Sequence, residues 1–190
     1  MYQKYQTELL VLGSRESGEA DRTFTLYTRD FGLVRARATA VRSEKSRMRY
    51  ALQNYSCANA ALVKGKRGWR LAGASAIRAA RGDTRGIAAF ARIAELVARL
   101  VHGEERNEYL FAALAEAHGA FMQEKCDVFA TIEIVCVARV LYALGYISAE
   151  ALQTALFTHT AYTGEHLLEA ETMRDKLLSS INKAIAETHL

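Results

Sequence analysis

The 190-residue sequence predicts an α+β protein of two domains, a five-stranded β barrel over residues 1–81 and an all-helical bundle over residues 82–190. Three observations carry that prediction. The hydrophobic period is two in the first part of the chain and 3.6 from Asp83 onward. Charge divides near the same place: residues 1–87 hold 17 Lys and Arg against 7 Asp and Glu, whereas residues 88–190 hold 8 against 14. Between the two regimes, Arg81-Gly82-Asp83 interrupts both patterns.

The barrel is read strand by strand. Residues 6–13 are β-rich, with Leu9 and Val11 on one face and Glu8, Leu10 and Leu12 on the other. A turn at Gly18 leads to Thr23–Thr28, where Phe24 and Leu26 face one way and Thr23, Thr25 and Tyr27 the other. Asp30-Phe31-Gly32 reads as a hairpin connection. The next strand, Leu33–Val41, sets Val34, Ala36, Ala38 and Ala40 against Leu33, Arg35, Arg37, Thr39 and Val41. Small residues inward and arginines outward suit a narrow closed barrel. Residues 42–49 are too charged for a core and read as a loop; a fourth strand is expected near 51–63 and a fifth from Trp69 to about Ile77, joined by a turn at Lys64–Gly68. Five strands in so short a stretch point to a Greek-key barrel of the oligonucleotide-binding type, and strand count leaves an SH3-like barrel open.

In the second domain, Ile87, Phe90, Ala94, Val97 and Val101 define a first helical stripe with Gly103 as C-cap, and Leu110, Leu114 and Phe121 a second over about 107–122. A third helix capped by Asp127 runs to Gly145, Ser148 caps a short one through Leu156, residues 158–164 read as loop, and a last helix begins near Thr172.

Several function classes find no support. No stretch approaches 18 uninterrupted apolar residues, and the first residues lack the apolar core of a signal peptide. Cys57, Cys126 and Cys136 are too far apart for a disulfide framework or a zinc ribbon, which indicates a reducing cytoplasm. Gly65-Lys66-Arg67 breaks a P-loop, no nucleophile elbow surrounds Ser14 or Ser17, and His159 and His166 are poorly spaced for a metal. Glu16, Glu19 and Asp21 form an acidic turn that a magnesium nuclease would use, but Arg15 and Arg22 beside them favour ion pairing. No catalytic residue, metal site or cofactor is therefore assigned.

Binding of a polyanion fits better. Arg35 and Arg37 project from one strand face, with guanidinium forks suited to phosphate oxygens. Arg42, Lys45, Arg47 and Arg49 crowd the following loop, and Lys66 and Arg67 occupy the next turn. Tyr27 is expected outward as a stacking ring, with Tyr50, Tyr55 and Trp69 nearby in sequence and Trp69 equally readable as a core anchor. Nothing resembles base-specific readout. A general RNA-binding barrel fused to an interaction bundle is the alternative reading.

Gly18-Glu19-Ala20-Asp21-Arg22, then the run from Tyr27 to Ala38, Ala40-Val41-Arg42, Lys45-Ser46-Arg47 and Leu52–Ser56 together resemble the RecO family of bacterial recombination mediators. In the second half only Leu144-Gly145-Tyr146 and Thr163-Gly164 do so. The resemblance implies a non-enzymatic protein of the bacterial cytoplasm and nucleoid that binds single- and double-stranded DNA and anneals complementary strands. With RecR, it would help RecA replace the single-strand-binding protein. It carries DNA contact over to Arg35, Arg37, Arg42, Lys45 and Arg47. Many members bear a four-cysteine zinc site after the Leu-Gly-Tyr segment; no cysteine follows Ile147 here, so zinc is not transferred. The sequence stops at Leu190 without the basic C-terminal segment the resemblance would add, and the basic residues of a pocket for the single-strand-binding protein's tail are not identifiable from it.

Overall fold

The computed structural model describes residues 3–123 and 126–188. Its contacts divide the chain into two units, one of Met1–Arg81 with Val101–Glu108, the other of Gly82–Leu100 with Tyr109–Leu190. The sequence reading places 101–108 with the helices; it belongs with the barrel.

The first unit is a closed barrel of β1 (Lys4–Glu16), β2 (Arg22–Thr28), β3 (Gly32–Ala38), β4 (Cys57–Gly65) and β5 (Gly68–Arg78), with strand order β1-β2-β3-β5-β4. All neighbours are antiparallel except β3 and β5, which pair in parallel through Ala36–Trp69 and Arg37–Arg70. A parallel pair needs a crossover, and residues 39–56 with the short helix α1 (Met48–Ala51) belong to it. This decides for the oligonucleotide-binding barrel over its SH3-like competitor. The barrel interior holds Leu9, Val11, Phe24, Leu26, Val34 and Ala36 among others, with Ala38, Ala58 and Ala60 keeping it narrow.

Three expectations are corrected here. Ala40 is not inward: β3 ends at Ala38, and Ala40 is an exposed turn residue at φ 54°. Val41, assigned outward by alternation, is buried in the core because that turn resets the period. The fourth strand begins at Cys57, after α1, rather than near residue 51. At the other end of β3, Gly32 has φ 60°, and a Cβ there would overlap the Glu105 backbone carbonyl, so the residue is glycine for two independent reasons.

The second unit comprises α2 (Thr84–Leu100), α3 (Glu108–Gln123), a 3-10 turn (Cys126–Val128), α4 (Phe129–Ala143), α5 (Ala149–Leu152), α6 (Gly164–Thr172) and α7 (Arg174–Glu187). Asp127 lies in the 3-10 turn rather than capping α4. Ser148 does cap α5, accepting from the Ala151 amide at 3.4 Å, but that helix stops at Leu152 because Gln153 turns left-handed. Helix α6, absent from the sequence reading, starts where Thr163 accepts from the His166 amide. Arg139 of α4 is fully buried; it donates to the Leu156, Thr160 and Ala161 carbonyls at 3.0, 2.7 and 3.1 Å and lies over the Tyr162 ring. A charge is tolerated there because each of the three guanidinium nitrogens finds a carbonyl acceptor. Among the described residues, no helix is long and apolar enough to cross a membrane.

Candidate nucleic-acid interface

Pleating fixes the faces of β3: Val34, Ala36 and Ala38 are buried, while Arg35 and Arg37 are exposed. The parallel ladder then sets Arg70 of β5 beside Arg37. Two positions upstream of β5, the β4–β5 connection exposes Lys66 and Arg67, which with Arg70 line a recess of about 300 Å³. Two separate sequence segments, β3 and residues 66–70, thus contribute cations to neighbouring parts of one barrel. Arg70 was not selectable from sequence, since its place beside Arg37 depends on a non-local strand pairing.

Asp21 ties the strand to the loop that follows it. Its carboxylate accepts from Arg37 Nη2 at 2.6 Å, Arg37 Nε at 3.0 Å and the Ala40 backbone N–H at 2.7 Å. The Ala40 N–H, followed by the Arg37 guanidinium, holds its pKa below the usual carboxylate range. The Arg42 N–H donates to the Ala20 carbonyl at 3.0 Å. The chain therefore leaves β3 with Arg37 and Arg42 both referenced to the 20–21 turn. Glu16 meets Arg42 at 3.2 Å and Arg22 at 3.8 Å. The acidic turn is consumed in organising arginines, which leaves Glu16 and Asp21 ill-suited to gather a magnesium ion.

Arg35, Lys45, Arg47, Lys66 and Arg67 are exposed, and among the described residues none has a carboxylate within ion-pair distance. Arg37 and Arg42 are exposed by 57% and 38% despite their partners. The Arg42–Glu16 pair is exposed at both ends and contributes only about 0–1 kcal/mol, so a phosphate competes readily for Arg42; Arg37 is held more firmly, by two bonds to an Asp21 carboxylate that is itself only 14% exposed. Arg49, at the foot of the loop in α1, donates to the Tyr50 hydroxyl at 2.7 Å. Arg22, Arg42 and Arg49 share a pocket of about 230 Å³ with Phe24, Val41 and Leu52.

The aromatic assignments change. Tyr27 is fully buried, and burial pushes its phenol pKa far up, so it offers no stacking face. It does lie on the face opposite Phe24 and Leu26, in register with Leu10 and Leu33. That face is covered at this point: Leu10 and Leu12 are as buried as Leu9 and Val11. Alternation assigns a side chain to a face but not that face to solvent. Trp69 is a core anchor, with ring centroids 5.7 Å from Tyr5 and 5.0 Å from Phe31. Of the four rings named from the sequence, the exposed one is Tyr50, at 60%, and Tyr55 is half-buried.

Among the described residues no group of three or more His, Cys, Asp and Glu is placed to hold a metal ion. Burial pushes the Cys57 thiol up to about 11 and the Cys136 thiol up to about 12, as expected of core cysteines; the Cys126 side chain lies outside the described residues. His159 and His166 lie with ring centroids 6.0 Å apart, and the Nδ1 of His166 is 3.1 Å from the Ala161 carbonyl.

Comparison with known proteins bears on the same half of the chain. Residues 1–79 match the family model described as Recombination protein O N terminal. A DNA repair protein RecO of Desulfitobacterium hafniense is 45% identical over 62 residues, 33% of this chain and 23% of that protein. One of Rubrobacter xylanophilus is 36% identical over 78 residues, covering 41% and 32%. One of Pelotomaculum thermopropionicum is 31% identical over 115 residues, covering 59% and 45%. The matched stretches span less than half the length of each of these relatives.

Proposed function

Through residues 1–79 the chain belongs to the RecO family, and from that premise we propose that it is a non-catalytic DNA-binding mediator of recombinational repair. In this reading it binds single- and double-stranded DNA, anneals complementary strands, and with RecR assists RecA in replacing the single-strand-binding protein. The observation that carries the reading is the set of exposed cations without carboxylate partners on β3, its following loop and the β4–β5 turn. A surface of that kind attracts a phosphate backbone through counterion release and reads charge and shape rather than base sequence. Arg35, Arg37, Arg42, Lys45, Arg47, Arg49, Lys66 and Arg67 are its contacts, joined by Arg22 and Arg70; Tyr27 is not among them.

The helical unit supports the partner role. A groove of about 420 Å³ between α2, α4 and α7 has Leu96, Val137 and Ile185 among its apolar lining, and its charged residues are Arg92 and Arg99 with Glu95 and Glu133. Arg92 is held by Glu133 at 2.6 Å, whereas Arg99 has no such partner among the described residues. On this reading the groove is where the single-strand-binding protein's tail would seat, with Arg99 offered to an acidic group and the apolar lining to an apolar one.

Annealing of complementary strands coated with the single-strand-binding protein tests the whole reading. Acceleration over the protein-free rate is expected, and no acceleration overturns it. Competition between single-stranded DNA and RNA of equal length tests the ligand: a strong preference for RNA replaces the repair role with the RNA-binding one.

A further inference from the structure

We infer that Tyr50, held by Arg49 at the rim of the arginine pocket, is a platform on which this surface stacks one unpaired base, and that this contact distinguishes single strands from duplex. The inference rests on the reading that the barrel binds nucleic acid.

Four observations lead there. First, Tyr50 is 60% exposed, although α1 is anchored by its neighbours Ala51 and Leu52, which are 4% and 2% exposed. The fold gains little from the ring where it sits. Second, the ring is already oriented: the Arg49 guanidinium lies 4.7 Å from its centroid and donates to its hydroxyl at 2.7 Å. A ring fixed before binding loses less freedom when a ligand covers it. Third, the same Arg49 lines the adjoining pocket of about 230 Å³ with Arg22 and Arg42, over a floor of Phe24, Val41 and Leu52. Glu16 neutralises part of the charge of Arg22 and Arg42, at 3.8 and 3.2 Å, and leaves Arg49 without a carboxylate partner among the described residues. Fourth, the pocket opens at the end of the loop that carries Lys45 and Arg47, both exposed.

A nucleotide fits this combination by its two chemistries. The phosphate is attracted to the guanidinium groups, and the base lies on the Tyr50 face that Arg49 leaves open, or on the Arg49 guanidinium plane over the other face, both of which accept any base. A base inside a duplex is stacked on its neighbours and offers neither face. Phosphate contacts along β3 bind both forms of DNA; the Tyr50 contact is available only to the unpaired one. Holding a base out of the strand's own stack also leaves its pairing edge free, which suits a protein that brings complements together.

The test uses the full chain carrying Tyr50→Trp, read by the fluorescence of the new indole, since the only natural tryptophan, Trp69, is buried in the barrel core. Oligo-dT should quench it. A duplex of equal length should bind by anisotropy without quenching it, and an abasic oligomer of equal length should bind more weakly without quenching it. Tyr50→Ala should lose on the order of 5- to 100-fold affinity for oligo-dT, Tyr50→Phe less than threefold, and neither should change duplex affinity. If oligo-dT binds the tryptophan variant without quenching, or Tyr50→Ala binds both forms as tightly as the natural chain, the platform is refuted while DNA binding stands. If no oligonucleotide binds the natural chain, the DNA-binding reading itself falls. Equal quenching by oligo-dT and oligo-rU would keep the platform and assign it to single strands of either sugar.

Discussion

Arginine is used in opposite ways in the two units. In the helical unit Arg139 is wholly buried, and each of its three nitrogens donates to a backbone carbonyl of the segment preceding α6. In the barrel unit Arg35 has no partner among the described residues and stands exposed on a strand whose alternate residues fill the core. The side chain is the same; what differs is how many acceptors the fold supplies. A guanidinium bonded through every nitrogen belongs to the structure, and one the fold leaves unbonded is open, on the proposed reading, to a ligand. Charge counts over the two halves find the basic surface but do not separate these two kinds of arginine.

The contrast is broken most directly by exchanging what each arginine does. Arg139→Met keeps much of the volume but strands three carbonyls, and should cost about 3–5 kcal/mol of stability in urea unfolding while leaving DNA affinity within threefold at temperatures where the variant is folded. A cost under about 1 kcal/mol would mean that the 156–162 segment is held by other contacts. The converse variant, with Arg35, Arg37, Arg42 and Arg47 all changed to Ala, should unfold at nearly the same urea concentration and lose on the order of 100-fold in affinity for single-stranded DNA, with a salt dependence shallower by roughly three to four in log–log slope. Unchanged affinity would remove the site from this face of the barrel. Gly32→Ala sharpens the comparison from the backbone side. It places a Cβ against the Glu105 carbonyl at φ 60°, and should cost about 2–4 kcal/mol with no specific effect on salt dependence.

Which parts of this were legible in the sequence follows from how local each signal is. The five strands, the inward Val34, Ala36 and Ala38, and the outward Arg35 and Arg37 all follow from a period of two, which is set by pleating within one strand. What was not legible depended on a second layer or a distant partner. Tyr27 was assigned to the outer face correctly, yet nothing local says that Leu10 and Leu33 beside it lie in a covered region. Arg70 gains its place from a parallel pairing between segments more than thirty residues apart in the chain. Tyr50 was visible as an aromatic but was distinguishable from Tyr27 and Trp69 only once burial was known. Helix α6 escaped because its start is set by a threonine cap in a stretch that otherwise reads as loop. The family resemblance carried DNA contact over to Arg35, Arg37, Arg42, Lys45 and Arg47, and it did not single out Arg70, whose place beside Arg37 tertiary pairing supplies.

The smallest expected effect tests the boundary between the two kinds of arginine, because Arg37 belongs to neither class cleanly. It is 57% exposed yet bonded to Asp21, whose carboxylate also holds the Ala40 amide. The folded pKa of Asp21 is depressed, so whatever this carboxylate adds to stability is present at neutral pH and lost as pH falls below the usual carboxylate range. On the proposed reading, phosphate and Asp21 compete for one guanidinium. Asp21→Asn keeps an oxygen to accept from the Ala40 N–H and removes the competing charge, so affinity for single-stranded DNA at low salt should rise about two- to fivefold, with a salt slope steeper by about one. Titrations at two salt concentrations measure both quantities. Weaker binding in the variant would show that Asp21 serves the site by aiming Arg37, and that the ion pair belongs to the binding surface rather than competing with it.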